Sequence, residues 1–330
     1  MMSKSNNVAV LGEGSFGTAI ACLLADCGMS VHLWCYDPNV VHKIHEARVN
    51  ERYMPGVCLV ERIRPTADLE LALAGKDLVF IATPVEHLRS VLEKALPSYR
   101  DEQVWVVLSK GIERESRMLP TQVGEDVFGE NCKVAVMSGP SFAYEVGCKQ
   151  YTQVMVAART AELTTFLDEL ITAEYFGTEP SQDMMGIQMC AAYKNVVALG
   201  MGILQGAGFG ENARALFLTK ALHEMAGLVD VIGGDPQTAG SLAGVGDLVL
   251  TAYGTQSRNV TLGIKIGKGE RLADIKISSP LLPEGVNTVY ALHEFIQDAE
   301  LGEALIQVIY GILEGKNSPV DLVNVCMEQH

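Results

Sequence analysis

The sequence predicts an α/β protein in which an N-terminal, doubly wound and mostly parallel sheet is followed by a mostly α-helical C-terminal domain. Two broad observations predict this class. Apolar runs of strand length alternate with amphipathic stretches through the first half, and long helical stretches replace them after about Gly177. A third observation is local: Val8–Thr18 reads VAVLGEGSFGT, an apolar strand that breaks into three glycines and then passes into a helix.

The three glycines of this turn predict a dinucleotide site. Gly12 permits the tight turn, Gly14 lets backbone approach a pyrophosphate, and Gly17 lets the helix pack against the strand. The N–H groups at the start of the helix suit an anion. We therefore expect residues 1–180 to form a Rossmann-like NAD(P)-binding domain and residues 181–330 a helical substrate-binding and catalytic domain.

The remaining elements follow in chain order. The predicted buried parallel strands are Val8–Leu11, Val31–Trp34, Leu78–Ile81, Val104–Leu108, Val134–Met137 and Val154–Ala157. The turns at the carboxyl ends of such strands form the ligand crevice, so Ala82–Pro84, Ser109–Gly111 and Ser138–Ser141 are expected to face the nucleotide. The predicted helices of the second half are Asp183–Leu204, Ala213–Val231, Pro236–Ala243, Val286–Gln297 and Leu305–Leu313.

Composition narrows the functional class. With 330 residues, of which 48% are hydrophobic, the chain can build a substantial core. A net charge of −15 argues against a general affinity for nucleic acid or an anionic membrane surface. No signal peptide or membrane-spanning run is visible, so we expect a cytoplasmic protein without stable membrane insertion. The eight cysteines are scattered without zinc spacing, which indicates reduced thiols and no metal site.

The preference between NAD and NADP stays open. Asp37 ends the second strand, 20 residues after Gly17, where its carboxylate could hold a ribose hydroxyl and favour NAD. It could equally cap a helix that begins at Pro38. Arg48 and Arg52 could instead meet the 2′-phosphate of NADP.

The second half carries the candidate proton donor. A group that donates a proton to a carbonyl oxygen is commonly His, Lys or Tyr, and no histidine here lies in a glycine-rich or charged motif. Lys194 and Asn195 interrupt an apolar helix, where a charge needs a partner unless the lysine reaches the surface. Asp247 and Thr251 lie four residues apart in another uncharged stretch, so Asp247 could pair with Lys194 or cap a helix.

A third segment offers groups suited to a phosphate monoester. Ser257, Arg258 and Asn259 supply a hydroxyl, a guanidinium and an amide in succession. A solvated turn is the alternative interpretation.

Together these motifs make the chain resemble the NAD(P)-dependent glycerol-3-phosphate dehydrogenases of the bacterial, soluble biosynthetic type. The segments that carry the resemblance are Gly12–Ala19, Tyr53–Gly56, Ser109–Ile112, Ser138–Ala143, Ala192–Ala198, Asn212–Ala215, Gly246–Thr251, Ser257–Asn259 and Pro283–Gly285. The resemblance implies an oxidoreductase that reduces dihydroxyacetone phosphate to sn-glycerol 3-phosphate with NADPH or NADH. That product belongs to carbohydrate metabolism and is the backbone precursor in phospholipid biosynthesis.

The resemblance also implies residue roles. Lys194 would be the general acid and base, with Asp247 and Lys110 as its catalytic companions. The implied cofactor-binding residues are Gly12, Gly14, Ser15, Phe16, Gly17, Tyr36, Lys110, Ala143, Arg258, Leu282 and Glu284. The implied substrate-binding residues are Lys110, Gly139, Ser141, Lys194, Asn195, Asp247, Thr251, Ser257, Arg258 and Asn259.

One position departs from the family pattern. Many relatives carry His or Arg where this chain has Tyr36, which has no charge to attract a 2′-phosphate. Two other functions remain open: a β-hydroxy acid dehydrogenase of the same two-domain plan, and a non-catalytic NAD(P)-sensing module. The apolar helical domain is compatible with a homodimer, which we expect.

Overall fold

The structure is a computed structural model that describes residues 7–279, 281–298 and 304–328. The chain divides into two compact units. Unit 1 comprises Met1–Ser109 and Pro120–Met184, and unit 2 comprises Lys110–Leu119 and Met185–His330. The short segment Lys110–Leu119 thus groups with the helical half, although it directly follows part of the sheet. The functions predicted for residues 1–180 and 181–330 stay predictions.

Unit 1 is built on a twisted α/β sheet. Its strands are β1 (Asn7–Leu11), β2 (Ser30–Trp34), β3 (Val49–Asn50), β4 (Met54–Cys58), β5 (Ile63–Thr66), β6 (Leu78–Ile81), β7 (Val104–Val107), β8 (Lys133–Ser138), β9 (Thr152–Ala158) and β10 (Phe176–Ser181). Among the described residues, eight strands form one sheet in the order β10-β9-β8-β7-β6-β1-β2-β5, while β3 and β4 form a separate antiparallel pair.

All six predicted strands are present, but the predicted parallel orientation is wrong for one pair. Strand β9 runs antiparallel to β8, whereas the other neighbours in the large sheet are parallel. The connection between β8 and β9 contains one five-residue helix, α6 (Ala143–Gly147). It does not carry the chain back to the end of the sheet where β8 begins, as a crossover between parallel strands would. Strand β9 therefore starts at the edge where β8 ends.

The centre of the sheet is apolar because the strand sequences are apolar throughout. The β1 residues from Val8 to Leu11 are fully buried, and so is the run LVFI of β6. Strand β1 pairs with β2 on one side and β6 on the other, so the chain reverses its direction of winding at β1. In open α/β sheets, ligands bind at the carboxyl ends of the strands beside such a switch point.

Helices cover this sheet. They are α1 (Ser15–Asp26), α2 (Pro38–Ala47), α3 (Leu69–Leu73), α4 (Val85–Ala95), α5 (Pro120–Phe128), α6 and α7 (Ala161–Leu170). Three of them, α2, α3 and α7, begin at a side-chain cap. Asp37 caps α2 by accepting a hydrogen bond from the Asn39 N–H at 2.9 Å, which confirms the capping alternative for this residue. Thr160 caps α7 in the same way.

Unit 2 is helical. Its helices are α8 (Met184–Gly206, of which Met184 falls in unit 1), α9 (Glu211–Val231), α10 (Asp247–Tyr253), α11 (Arg258–Gly267), α12 (Leu272–Ser278), α13 (Glu284–Asp298), α14 (Ala304–Leu313) and α15 (Pro319–Met327). The predicted helix Pro236–Ala243 is not one α-helix. It is a 3-10 turn, Pro236–Gly240, followed by a wide π turn, Leu242–Gly246, that leads into α10.

Helix α8 is the core of unit 2. Every residue from Gly186 to Leu204 is buried, as expected for a helix that is apolar on all sides. Its length and composition would also suit a membrane span, but its apolar window lies entirely inside the protein.

Glycines bring α8 against α11. A Cβ atom added at Gly202 would lie 2.3 Å from the Val260 carbonyl oxygen, and one added at Gly263 would lie 2.2 Å from the Leu199 oxygen. The two backbones therefore touch, and this contact fixes the side chains of α8 relative to those at the start of α11.

Candidate active site

The glycine turn after β1 has the backbone that its motif predicts. Gly12 has φ of +119°, and a Cβ atom there would lie 2.9 Å from the Ala82 carbonyl oxygen. A Cβ at Gly17 would lie 2.0 Å from the Gly12 oxygen. Both positions therefore exclude a side chain, one because of the close approach of β6 and the other because α1 packs on the turn.

Gly14 differs from its two neighbours because it faces open space. Nothing lies within 4 Å of a Cβ added there. It occupies the N-cap position of α1 without a side-chain cap, so the first N–H groups of the helix are left to an anion. An open space beside an uncapped, twelve-residue helix fits the pyrophosphate of a dinucleotide.

The flanking residues hold the turn in place. The Ser15 hydroxyl donates to the Tyr53 carbonyl oxygen at 2.7 Å, and Phe16 is half-buried against the core of unit 1. The buried Asn50 amide donates to the Glu13 carbonyl oxygen and to the Thr18 hydroxyl, both at 2.8 Å. The cofactor turn is thus braced by side chains outside the motif.

A carboxylate from the glycine turn, Glu13, reaches the residues that follow β2, and the sequence analysis missed it. Glu13 is 8% exposed, and its carboxylate accepts hydrogen bonds from the backbone N–H of Tyr36 at 3.0 Å and of Asp37 at 3.2 Å. The Tyr36 ring is 74% exposed. Arg52 pairs with the Asp37 carboxylate at 3.0 Å. The signal available in the sequence was the acidic residue between the first two glycines.

The Arg48 guanidinium is engaged by backbone carbonyl oxygens. It donates to the carbonyl oxygens of Leu59 and Ile63, each at 2.9 Å, and of Val60. The residue tethers the loop before β5 to the end of α2.

Three further predicted residues follow β8 in unit 1. A Cβ at Gly139 would lie 2.8 Å from the Val154 Cα atom, so this position packs directly on β9. The Ser141 hydroxyl donates to the Gly139 oxygen at 2.9 Å. Ala143 is the first residue of α6 and is half-buried.

A buried ionic cluster forms in unit 2. The Asp247 carboxylate, 1% exposed, receives the Lys194 ammonium on Oδ1 at 2.6 Å and the Lys110 ammonium on Oδ2 at 2.8 Å. Thr251 Oγ1 accepts from Lys194 Nζ at 2.9 Å and donates to Asp247 Oδ1 at 3.3 Å. We call these four residues the lysine cluster.

This geometry decides between the alternatives for two residues. Lys194 is 6% exposed, so the interpretation of a lysine reaching the surface is wrong. Asp247 is the first residue of α10, with Gly246 at the cap position, and its carboxylate binds the two lysines, so the cap interpretation is also wrong. The predicted pairing of Lys194 with Asp247 is present.

Burial and charge set the protonation of the cluster. Burial lowers the pKa of Lys194 to about 8, because the Asp247 carboxylate only partly offsets desolvation and the Lys110 ammonium adds to it. Burial alone would raise the pKa of Asp247, but the two neighbouring ammonium groups outweigh it and lower the pKa. The cluster therefore holds an ionised carboxylate beside a lysine that can lose its proton near neutral pH.

The start of α11 combines an exposed cation with a buried amide. The Ser257 hydroxyl caps the helix by accepting from the Val260 N–H at 3.3 Å, and Arg258 is exposed beside it. Asn259 is buried; its Nδ2 donates to Asn195 Oδ1 at 3.1 Å, and its Oδ1 accepts from the Gly285 N–H at 3.1 Å.

This amide chain ties α8, α11 and α13 together. A Cβ at Gly285, the second residue of α13, would lie 2.4 Å from the Asn259 amide oxygen, so this position leaves no room for a side chain. Glu284 starts α13, and the half-buried Leu282 packs against the core of unit 2 just before it.

Eleven of the predicted site residues fall into three groups, whereas Tyr36, Gly139, Ser141, Ala143, Ser257, Arg258, Leu282 and Glu284 lie outside them. Unit 1 gathers the glycine turn, and unit 2 gathers the lysine cluster and the chain Asn195–Asn259–Gly285. The sequence analysis missed Glu13, Asn50 and Gly285. It also missed Gly202 and Gly206 of α8 and Gly263 and Gly267 of α11, which contact the backbone of the facing helix and are spaced four residues apart in the sequence. Within the described residues, no group of three or more His, Cys, Asp or Glu side chains could hold a metal ion.

Comparison with known proteins decides the family. The model described as NAD-dependent glycerol-3-phosphate dehydrogenase N-terminus matches residues 7–164, and the corresponding C-terminus model matches residues 183–324. The chain belongs to the NAD-dependent glycerol-3-phosphate dehydrogenase family.

Individual members of the family match along nearly the whole chain. The NAD(P)+ glycerol-3-phosphate dehydrogenase of Geobacter metallireducens is 38% identical over 325 residues, 96% of each chain. That of Bacillus velezensis is 37% identical over 309 residues, 92% of this chain and 90% of the relative. The crystal structure of glycerol-3-phosphate dehydrogenase from Coxiella burnetii is 32% identical, with a TM-score of 0.92 over 98% of this chain and 99% of that chain. The predicted family and fold class are confirmed.

Proposed function

We propose that this chain reduces dihydroxyacetone phosphate to sn-glycerol 3-phosphate, using NADH or NADPH, with Lys194 as the general acid. Membership of the dehydrogenase family makes the chain an NAD(P)-dependent oxidoreductase. The observation that carries the residue assignment is the lysine cluster, in which a buried ammonium is held by an ionised carboxylate and a hydroxyl.

The cluster is suited to proton transfer. When hydride adds to the carbonyl carbon, the carbonyl oxygen gains negative charge and needs a proton. Lys194 Nζ donates to two acceptors, Asp247 and Thr251, and its remaining N–H can point at a substrate oxygen. Proton donation leaves a neutral amine, which the pKa of about 8 makes accessible. In the reverse direction the same amine accepts the alcohol proton.

The bound nicotinamide cofactor supplies or accepts the hydride. The glycine turn of unit 1 holds its pyrophosphate at the start of α1, where Gly14 leaves the space. We assign cofactor contact also to Ser15, Phe16, Tyr36 and Ala143 in unit 1. The assignments in unit 2 are Lys110, Arg258, Leu282 and Glu284.

The substrate phosphate requires local positive charge, because the chain carries a net charge of −15. Arg258 is exposed at the first position of α11, where its guanidinium and the helix N-terminus suit an anion. Ser257 and Asn259 flank it, and Lys110 adds a second cation through the lysine cluster. We further assign Gly139 and Ser141 to substrate contact.

The same assignment implies a metabolic role, a cellular location and an oligomeric state. The substrate is a small molecule, and its product is a precursor of glycerophospholipids. We infer a cytoplasmic location, no stable membrane insertion and a homodimer. Among the residues that the structure describes, one helix is both long and apolar enough to span a membrane, and this helix, α8, is the buried core of unit 2.

The experiment is an absorbance assay of purified protein with dihydroxyacetone phosphate and either NADH or NADPH. Turnover with this substrate supports the proposal. A 3-hydroxy acid substrate with NAD and with NADP serves as the comparison, because it tests the β-hydroxy acid dehydrogenase alternative. Nucleotide binding without turnover on either substrate would contradict the proposal and favour a redox sensor.

A further inference from the structure

We propose that Glu13 selects the cofactor and that it favours NAD(H) over NADP(H). The inference rests on the proposed nucleotide-dependent function and adds a specificity to it. The acidic residue that commonly reads the ribose in this fold lies at the end of the second strand. Here that residue is Asp37, but a carboxylate from the glycine turn occupies the same corner of unit 1.

Glu13 already occupies the two backbone hydrogen-bond donors that follow β2. The N–H groups of Tyr36 and Asp37 are consecutive and follow β2 directly. These two N–H groups converge on a single carboxylate, so together they form a site for an anion. Both already donate to the two oxygens of the Glu13 carboxylate, at 3.0 and 3.2 Å. A 2′-phosphate that entered this corner would meet a negative charge where it needs two donors.

The cations near the end of β2 are engaged by other groups of the protein. An arginine near the end of β2 is the usual partner of a 2′-phosphate. Arg52 is bound to the Asp37 carboxylate at 3.0 Å, and Arg48 is bound to three carbonyl oxygens. The hydrogen bond from Asn39 lowers the pKa of Asp37, and the positive charge of Lys43, on α2, adds to this effect. The Asp37 carboxylate thus neutralises Arg52, the Glu13 carboxylate adds a negative charge, and the Arg48 guanidinium is turned toward backbone oxygens, which together disfavour a dianion here.

For the ribose of NAD, the Glu13 carboxylate offers hydrogen-bond acceptors, whereas the Asp37 carboxylate is already engaged. The Asp37 carboxylate is engaged by the Asn39 N–H and side chain and by Arg52. Each Glu13 oxygen accepts one backbone hydrogen bond and retains a lone pair for a ribose hydroxyl. The Glu13 backbone is itself fixed, since its carbonyl oxygen accepts from Asn50 at 2.8 Å and from Thr18 at 3.0 Å. Glu13 therefore takes the role that the sequence offered to Asp37.

The test is a comparison of dissociation constants for NADH and NADPH, measured by nucleotide fluorescence without substrate. The variants are Glu13→Gln, which keeps the shape and removes the charge, and Glu13→Ala, which also frees the two N–H groups. Asp37→Asn is the comparison at the other carboxylate, and it also releases Arg52 from its ion pair; Glu70→Gln, at an exposed position of α3, is the control. We expect the wild-type protein to bind NADH at least about tenfold more tightly than NADPH. Glu13→Gln should reduce that ratio at least about fivefold, Asp37→Asn should reduce it less than Glu13→Gln does, and Glu70→Gln should leave it within about twofold.

Two results would overturn the proposal. One is a wild-type protein that binds NADPH as tightly as NADH, or more tightly. The other is a ratio that stays unchanged in the Glu13 variants or changes only in Asp37→Asn. Circular dichroism establishes that each variant is folded, and the two Glu13 variants test the residue independently, so one folded variant is enough to judge its role.

The binding measurement needs no triose phosphate, so its outcome is separate from that of the proposed reaction. Selective NADH binding without reduction of dihydroxyacetone phosphate would contradict the reaction and leave the role of Glu13 standing. Failure to bind either nucleotide would overturn both.

Discussion

The glycine turn of unit 1 and the lysine cluster of unit 2 manage charge in different ways. The turn is made of backbone: Gly12 and Gly17 allow close approach, and Gly14 leaves space beside the N–H groups of α1. The cluster is made of side chains, and Asp247 joins lysines that lie 53 and 137 residues away in sequence. A site built from backbone needs neighbouring residues, whereas a site built from side chains depends on the packing of several helices.

The largest effect should come from Lys194→Ala in the lysine cluster. Loss of the proton donor should lower kcat for the reduction by about 10²–10⁴-fold. The dissociation constant for NADH should stay nearly unchanged, because the glycine turn does not contain this residue. Steady-state kinetics and nucleotide fluorescence provide the two readouts. Lys265→Ala, at an exposed position of α11, is the matched control, and near-normal turnover of Lys194→Ala would disprove the assignment.

Asp247→Asn should affect both stability and rate. It leaves Lys194 and Lys110 as buried ammonium groups without their carboxylate, and removal of one partner of a buried ion pair costs about 3–5 kcal/mol. The free energy of unfolding, measured by urea denaturation, should fall accordingly. The loss of the carboxylate should also lower the pKa of Lys194 further and reduce kcat at neutral pH. Unchanged stability and kcat would show that the carboxylate does not hold the lysines in solution.

A pair of glycine variants separates stability from binding within the turn. Gly17→Ala places a methyl group against the Gly12 carbonyl oxygen, so it should cost about 1–3 kcal/mol of unfolding free energy. Gly14→Ala should cost less than about 1 kcal/mol, because nothing lies near its Cβ. It should nevertheless weaken nucleotide binding, since the methyl group enters the space proposed for the pyrophosphate. Equal effects of the two variants on stability would contradict this distinction.

Arg258→Ala should have the smallest of these effects. Loss of charged hydrogen bonds to the substrate phosphate should raise KM for dihydroxyacetone phosphate about tenfold or more, with a smaller change in kcat. Arg271→Ala is the control, because Arg271 is exposed and pairs with Asp274. A KM that does not change would place the phosphate elsewhere.

The same contrast explains what could be predicted from sequence. The glycine turn and the six central strands were readable because their signals are local and their strands are uniformly apolar. The edge strands β5 and β10 contain Pro65 and Pro180. Proline lacks the N–H that a central strand needs, but an edge strand tolerates this loss. The sequences of these two strands therefore lack the usual strand pattern. The orientation of β9 depends on the path of a connection, which no periodicity records.

Prediction of the lysine cluster was partial for a physical reason. The cost of burying an unpartnered charge predicted that Lys194 needs Asp247, and the two atoms lie 2.6 Å apart. Nothing local linked Lys110 to the same carboxylate. Glu13 was missed because its function in the turn depends on where β2 ends, which is a tertiary property.

The most direct test of the central claim is the pH dependence of kcat/KM for dihydroxyacetone phosphate. Reduction requires the Lys194 ammonium, so kcat/KM should fall as the pH rises through about 8, whereas an unshifted lysine would keep its proton until well above this range. Oxidation of glycerol 3-phosphate requires the neutral amine, so its kcat/KM should rise over the same interval. A reduction profile that stays flat up to pH 10 would contradict a buried Lys194 proton donor whose pKa is lowered to about 8.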